Sequence, residues 1–387
     1  MPRVDGLPAL DLDALTTEDL EARLDATEPL TVGLEEELLL LDPGDLDLTP
    51  RAAELLGRLD GDRRFKPELP AAQLEIVTEP APTAPDAIAA LLQGRRDLDR
   101  AASGAARPAG LGLHPFAASE GELSGLDRYD WTRGEYAVIA RRQLVSALQV
   151  HVAVGGAERT RCVYNALREY LPELAALSAN ARYYEGRDTG MASMRPKIAE
   201  NLPRQGMPPP IESWDGFLDE LRWGVSSGAM PTAGQWWWEL RPHLAFGTLE
   251  VRVADTQTLI AEAAGVVALT HSIVAWLAQR HDQSDLPPAA PTWRIEQNRW
   301  SAGRHGVEGR MADLRSGAAE PTRDRLRRLI EQVRPVAAQI GTAELLPCAE
   351  RLVERNGAIR QREIGSEAGP EGLARWAADQ FLDEAGL

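Results

Sequence analysis

The sequence predicts an α+β fold, a sheet with helices packed on its apolar face and the opposite face left for a ligand. Two observations carry this. Four segments alternate apolar and polar residues with period two, each pairing an aliphatic face with a face of Glu, His, Gln or Arg. Helical patterns fall irregularly between these segments. The 387 residues, 44% hydrophobic and 26% charged, can bury a substantial core. They divide into an acidic arm, residues 1–29, and one elaborate domain, residues 30–387, whose part from about residue 320 is helical.

The arm is expected to be mobile or to dock as one short helix around Leu20. In the first strand Val32, Leu34, Leu38 and Leu40 alternate with Gly33, Glu35, Glu37 and Leu39, and Glu36 falls on the aliphatic side as a misfit. Over residues 72–79, Leu74 and Ile76 oppose Gln73, Glu75 and Val77. Over residues 146–154, Leu148, Val150, Val152 and Val154 oppose Gln149 and His151. Over residues 248–254, Leu249, Val251 and Val253 oppose Thr248, Glu250 and Arg252. Pro85 and Asp86 open a helix carrying Ile88, Leu91, Leu92 and Leu98, with Asp86 as its N-cap. Further helices are expected over about 160–170 and 258–280, and Leu326, Leu329, Ile330 and Val333 form the stripe of another. Residues 182–210 and 282–291, rich in Gly or Pro, read as long loops.

Forty-two basic against 59 acidic residues give a net charge of -17, which opposes binding to nucleic acid or an anionic membrane. Lys66 and Lys197 are the only lysines, so the positive charge is arginine, suited to bidentate contacts with carboxylates and phosphates. Two cysteines, Cys162 and Cys348, supply neither a disulfide framework nor a metal-type spacing. The N-terminus lacks the basic and apolar regions of a secretory leader. The longest apolar stretch, residues 259–278, contains Glu262, Thr270, His271 and Ser272 and reads as a buried helix. The expectation is a cytoplasmic protein.

The strongest chemical signal is the polar face. Glu35 and Glu37 project from one side of their strand, and Glu75, His151 and Glu250 join them if the four strands share a sheet. Two carboxylates about 4 Å apart repel by roughly 1 kcal/mol in water and about 4 kcal/mol at an effective dielectric near 20. Such a cluster calls for cations, and oxygen-rich ligation with one imidazole favours Mg2+ or Mn2+ over zinc. Arg252, on the same face as Glu250, suits a phosphate held between metal and guanidinium. Taken singly, each Glu is ordinarily a solvated residue and His151 a hydrogen-bonded structural one; the shared phase of all four strands favours a site. Other motifs fail. Residues 224–228 match GxSxG but follow a helical pattern instead of a strand, neither lysine lies in a P-loop, and Gly110-Leu111-Gly112 lacks the rest of a dinucleotide fingerprint. Trp236-Trp237-Trp238 is expected in the core or a pocket wall.

These residues resemble the glutamate-cysteine ligase type 2 family of ATP-dependent carboxylate-amine ligases, related to glutamine synthetase. The matching segments include Gly33-Leu34-Glu35-Glu36-Glu37, Gln73-Leu74-Glu75-Ile76-Val77-Thr78, His114-Pro115-Phe116, Gln149-Val150-His151-Val152 and Leu177-Ser178-Ala179-Asn180. They continue through Gly186-Arg187-Asp188-Thr189-Gly190, Arg241-Pro242-His243, residues 247–255 and Asn298-Arg299-Trp300. The resemblance implies a curved, mainly antiparallel sheet cradling ATP and two or three Mg2+ ions. It implies that glutamate is activated as an acyl phosphate and attacked by an amine such as cysteine, releasing ADP and phosphate. By matched position Glu35, Glu37, Glu75, His151 and Glu250 are metal ligands, with Glu68 a weaker one. Arg252 stabilises the transferring phosphoryl group, and Arg241 clamps a carboxylate or phosphate. Arg128 beside Tyr129 is a substrate candidate, and Arg195 contacts the nucleotide from a lid that excludes water. Small-molecule substrates and a possible homodimer complete the expectation. Two departures, Glu239 in place of a usual Asp and the stretch Ala181-Arg182-Tyr183-Tyr184, leave the acceptor open. The alternatives are the same chemistry on another carboxylate or amine, and a nucleotide-binding regulatory protein without turnover.

Overall fold

In the computed structural model, which describes residues 11, 12 and 14–387, strand β1 (Val32–Leu41) separates two environments by its pleat. Val32, Leu34, Leu38 and Leu40 enter the main apolar core, while Glu35 and Glu37 face the other way. Around it lie β2 (Phe65–Pro67), β3 (Gln73–Val77), β4 (Arg107–Ala109) and β5 (Ala147–Ala153), then a small hairpin of β6 (Tyr183–Tyr184) and β7 (Arg187–Asp188), and finally β8 (Leu240–His243) and β9 (Thr248–Asp255). The main sheet runs β2-β3-β1-β5-β9-β8, with β4 also on β1, and every pairing in it is antiparallel. The four strands read from the sequence are thus contiguous neighbours.

Helices make up most of the remaining chain. They are α1 (Thr17–Asp25), α2 (Ala52–Arg58), α3 (Ala84–Ala102), α4 (Asp130–Arg141), α5 (Ala157–Leu167), α6 (Leu171–Leu177), α7 (Arg195–Ala199), α8 (Trp214–Ser226), α9 (Ile260–Asp282), α10 (Thr292–His305), α11 (Thr322–Gln339), α12 (Leu346–Glu354) and α13 (Gly357–Asp379). Helices α3, α6 and α9 lie against the sheet. Although α9 is long and apolar enough to span a bilayer, its residues are almost wholly buried among α5, α11 and α12. Within the expected arm, residues 1–10 and 13 lie outside the described residues; α1 docks through Leu20 and Leu24 into the main core.

Two local expectations are corrected. The N-cap of α3 is Thr83, not Asp86: the Thr83 hydroxyl accepts the Asp86 N–H at 3.3 Å and donates to the Asp86 carboxylate. Residues 182–210 are not one loop, because they contain the β6–β7 hairpin and α7.

The misfit on β1 has a physical answer. Glu36 is fully buried, and Arg95 of α3 meets it with Nε at 2.8 Å and Nη2 at 2.5 Å. The remaining N–H groups of Arg95 donate to the carbonyls of Gln257, Thr258 and Phe381, so all five donors of a buried guanidinium are used. This pair ties β1 and α3 to the chain following β9 and to the C-terminal segment. A second polar knot lies nearby. Asp255 accepts the Asn180 N–H at 2.7 Å, the Ser193 hydroxyl at 3.0 Å and Arg195 Nε at 2.6 Å. The Asn180 side chain reaches the Thr256 carbonyl. Gly110 permits the close approach, since a Cβ there would lie 2.2 Å from the Gln257 oxygen. This glycine serves packing.

Arg95→Met is expected to destabilise the fold by about 3–5 kcal/mol in urea unfolding, because it strands a buried carboxylate. Adding Glu36→Leu should restore most of that stability. A second prediction concerns His271 on α9, whose ring nitrogens pair with the Thr342 hydroxyl (3.0 Å) and the Leu30 carbonyl (2.8 Å). Burial lowers its pKa to about 4, against the hydrogen bond to Leu30. The unfolded chain therefore binds the extra proton first, and stability present above about pH 6.5 is lost as pH falls toward 4, on the order of 3 kcal/mol. Unfolding midpoints across that window should flatten in His271→Gln.

Candidate active site

Strand register assembles the polar face. Glu37 lies opposite Glu75, Glu35 opposite Gln149, and Gly33 opposite His151, so the imidazole meets Glu35 diagonally across a position without a side chain. His151 in turn faces Glu250, and Glu250 faces Arg241. A bulge in β9 keeps the next cation in place: Leu148 pairs with Ala254 but Val150 with Val251, leaving Arg252 and Val253 together opposite Gln149. The Arg252 guanidinium bonds Gln149 and Glu250.

The face resolves into two groups, Glu35–His151–Glu250 and Glu37–Glu68–Glu75, each with ligand atoms within 4.8 Å of one another. All six metal candidates are therefore brought together, including Glu68. The groups differ in how their charge is balanced. Burial pushes the Glu250 carboxyl up, but Arg241, at 2.5 Å and 3.1 Å, and Arg252 hold it well below the usual carboxylate range. Glu35 is likewise pushed up by burial, yet His151, 3.6 Å away, brings it to about 2. In the second group burial wins. Glu37 is raised despite Arg252 and the Ala147 N–H, and Glu75 is raised well above its ordinary value by burial and then by the charges of Glu35 and Glu68.

The donor set fits divalent cations. His151 is buried, its Nδ1 lies 3.0 Å from the Thr248 hydroxyl, and its Nε2 is buried without a hydrogen-bond partner while facing the carboxylates. An orphaned imidazole nitrogen beside two carboxylates, with its other nitrogen oriented by a hydroxyl, is an arrangement found in metal ligands. The second group offers only oxygen, as Mg2+ or Mn2+ prefers.

Other candidates fall around this face. Arg241 is held by Glu250 and by the carbonyls of Gly234 and Trp236. Arg128 stacks on the Tyr129 ring, and both reach the Pro67 carbonyl beside Glu68. Arg195 is corrected: it is not on a lid. It opens α7, is buried, and is fixed by Asp255 and by the Val253 carbonyl at 2.6 Å, so it belongs to the rigid wall next to Glu37. Sequence reading missed Lys66, which faces Glu75 across β2–β3 with Nζ 4.0 Å from its carboxylate. It also missed Gln149, which donates to Glu37 at 2.8 Å. The three-residue β2 is too short to show alternation, whereas the phase of Gln149 with His151 was a usable signal.

The remaining motifs settle into structural roles. Ser226 lies at the end of α8 with its hydroxyl on the Trp223 carbonyl, away from any strand-to-helix elbow. Trp236 packs against the core and Phe217, and Trp237 lies beside Tyr136. Three of the departing residues are internal: Glu239 is gripped by Arg299, Ala181 joins an apolar cluster with Leu113 and Ile198, and Tyr183 packs against Gly365.

The family model described as glutamate-cysteine ligase family 2 matches residues 31–375. A Rubrobacter xylanophilus protein provisionally named glutamate–cysteine ligase 2-3 is 35% identical over 90% of this chain and 96% of its own length. A Corynebacterium glutamicum protein provisionally named glutamate–cysteine ligase 2 is 33% identical over 88% of this chain and 92% of its own. Among solved structures, the glutamate–cysteine ligase of Francisella tularensis in complex with AMP shares the fold, with a TM-score of 0.68 and 12% identity over 92% of this chain and 90% of that one. A bifunctional glutathione synthetase from Pasteurella multocida has a TM-score of 0.67 at 16% identity, over 94% of this chain and 53% of that one. The chain belongs to glutamate-cysteine ligase family 2 and is an ATP-dependent ligase that forms carbon–nitrogen bonds.

Proposed function

We propose that this ligase joins the γ-carboxylate of glutamate to an amine through an acyl phosphate, with ADP and phosphate as co-products and Mg2+, replaceable by Mn2+, as cofactor. Cysteine is the first acceptor to test. The observation that carries this reading is the pairing of two acidic ligand groups with Arg252 on one rigid face. When bound there, the divalent ions would neutralise phosphate oxygens and the charge that develops on transfer.

The chain's own residues supply the rest. Arg252 shares a single nitrogen between Gln149 and Glu250, and its charge is placed to follow a phosphoryl group leaving the nucleotide. Arg241, fixed by Glu250 and by two backbone carbonyls, keeps one Nη2 N–H that can meet a substrate carboxylate without first being ordered. Arg195, locked in the wall, adds to the positive charge of Arg252 beside Glu37, where a nucleotide phosphate would lie. Arg128 and Tyr129 sit at the Glu68 end, where they would meet a substrate. The packed-in departures at Glu239, Ala181 and Tyr183 give no reason to reject cysteine.

The test is ADP release with Mg2+ and ATP, with and without glutamate, across a panel of amines including cysteine, with products weighed by mass spectrometry. A γ-glutamyl amide formed with equimolar ADP supports the proposal; release that ignores glutamate and depends on another carboxylate contradicts it. Arg252→Gln should lower kcat by about 100- to 1,000-fold, as loss of one preorganised transition-state donor does elsewhere. Unchanged turnover would remove Arg252 from the chemistry.

A further inference from the structure

A second charged concavity lies away from the acidic face. Arg182, Arg304, His305, Glu308, Asn356 and Arg362 line a cavity of about 240 Å³ bounded by the chain around the β6–β7 hairpin, the end of α10 and the start of α13. None of the acidic-face residues lines it. In a chain of net charge -17, its cations outnumber its anions. Arg182 binds Asp188 at 2.8 Å and 3.0 Å, and Arg362 binds Glu308 at 2.6 Å and 2.9 Å. Arg304 donates to the Gly190 carbonyl and, among the described residues, has no carboxylate partner. Arg323 adds a further charge: the Glu308 carboxyl is held below its ordinary range by its hydrogen bonds to Arg362 and by the fields of Arg323 and Arg182. Asp188 and Glu308 thus answer Arg182 and Arg362, and the Arg304 guanidinium is the lining cation left without a carboxylate among the described residues.

The start of α13 does not supply the binding. Its Ala358 and Ile359 N–H groups are already taken by the Ala179 carbonyl and the Asn356 side chain. Recognition falls to the arginines, whose planar donors pair with oxyanions in bidentate fashion. The volume is just below the roughly 300–1,000 Å³ of drug-sized ligand pockets, which suits a compact anion.

We infer that this cavity is a binding site for a small multivalent oxyanion, a phosphate monoester or a di- or tricarboxylate, separate from the ligase site. The oxyanion oxygens would take the N–H groups of Arg304 together with those of Arg182 and Arg362 that Asp188 and Glu308 leave free.

Isothermal titration calorimetry on the full chain, without divalent cation so that the acidic face repels anions, tests this with inorganic phosphate and separately with citrate. One site per chain is expected, weakening as salt rises. Heat with phosphate alone supports a phosphate monoester, with citrate alone a polycarboxylate, and with both a site that reads charge density. Arg304→Gln and Arg362→Gln should each weaken binding at least tenfold, Arg304→Lys should retain most of it, and all three should keep the wild-type thermal midpoint within a few degrees and normal ADP release. No heat with either anion, or heat unaltered in the Arg304→Gln/Arg362→Gln double variant, would overturn the inference.

Discussion

Three consecutive carboxylates on β1 impose the constraint on which this structure depends. A strand sends alternate residues to opposite faces, so Glu36 must enter the apolar core when Glu35 and Glu37 face the site. Removing a charge from water costs several kcal/mol unless it is paired and hydrogen-bonded. The fold answers Glu36 permanently, with a guanidinium whose five donors are all engaged. It answers Glu250 with Arg241 and Arg252. In the Glu37–Glu68–Glu75 group burial instead raises the Glu37 and Glu75 carboxyls, even with Arg252 and Lys66 beside them.

Rigidity behind the face gives that charge a fixed geometry. The aliphatic sides of β1, β3, β5 and β9 are sealed by α3, α6 and α9, and the end of β9 is fixed by Asp255, which gathers Asn180, Ser193 and Arg195. The bulge in β9 lets Arg252 remain over Glu250 while Ala254 returns to the core. Preorganised dipoles and charges act on a transition state without reorganisation at the moment of reaction.

Much of this was legible because sheet periodicity is local. Glu35, Glu37, Glu75, His151 and Glu250 could be assigned to one face from phase alone, and their common sheet followed once the four strands were taken as neighbours. Glu36 was visible as a misfit, but its partner is 59 residues away on a helix, and no local pattern names such a partner. Lys66 was hidden by a strand too short for alternation. Arg195 was misjudged because glycines and prolines around it suggested a mobile loop, whereas its hydrogen bonds to Asp255 and Val253, about 60 residues distant, make it fixed. The Thr83 cap was missed because Asp86, an acidic residue near the helix start, is also compatible with the third helical position, where it bonds the true cap.

The central claim is that the two acidic groups are distinct cation sites. It is tested most directly by Mn2+ titration of the metal-free protein, read by electron paramagnetic resonance. The account predicts two bound ions per chain, with His151→Ala weakening one and Glu68→Gln the other while each variant keeps the remaining site. Absence of stoichiometric Mn2+ binding, or equal loss of both ions in either variant, would contradict it.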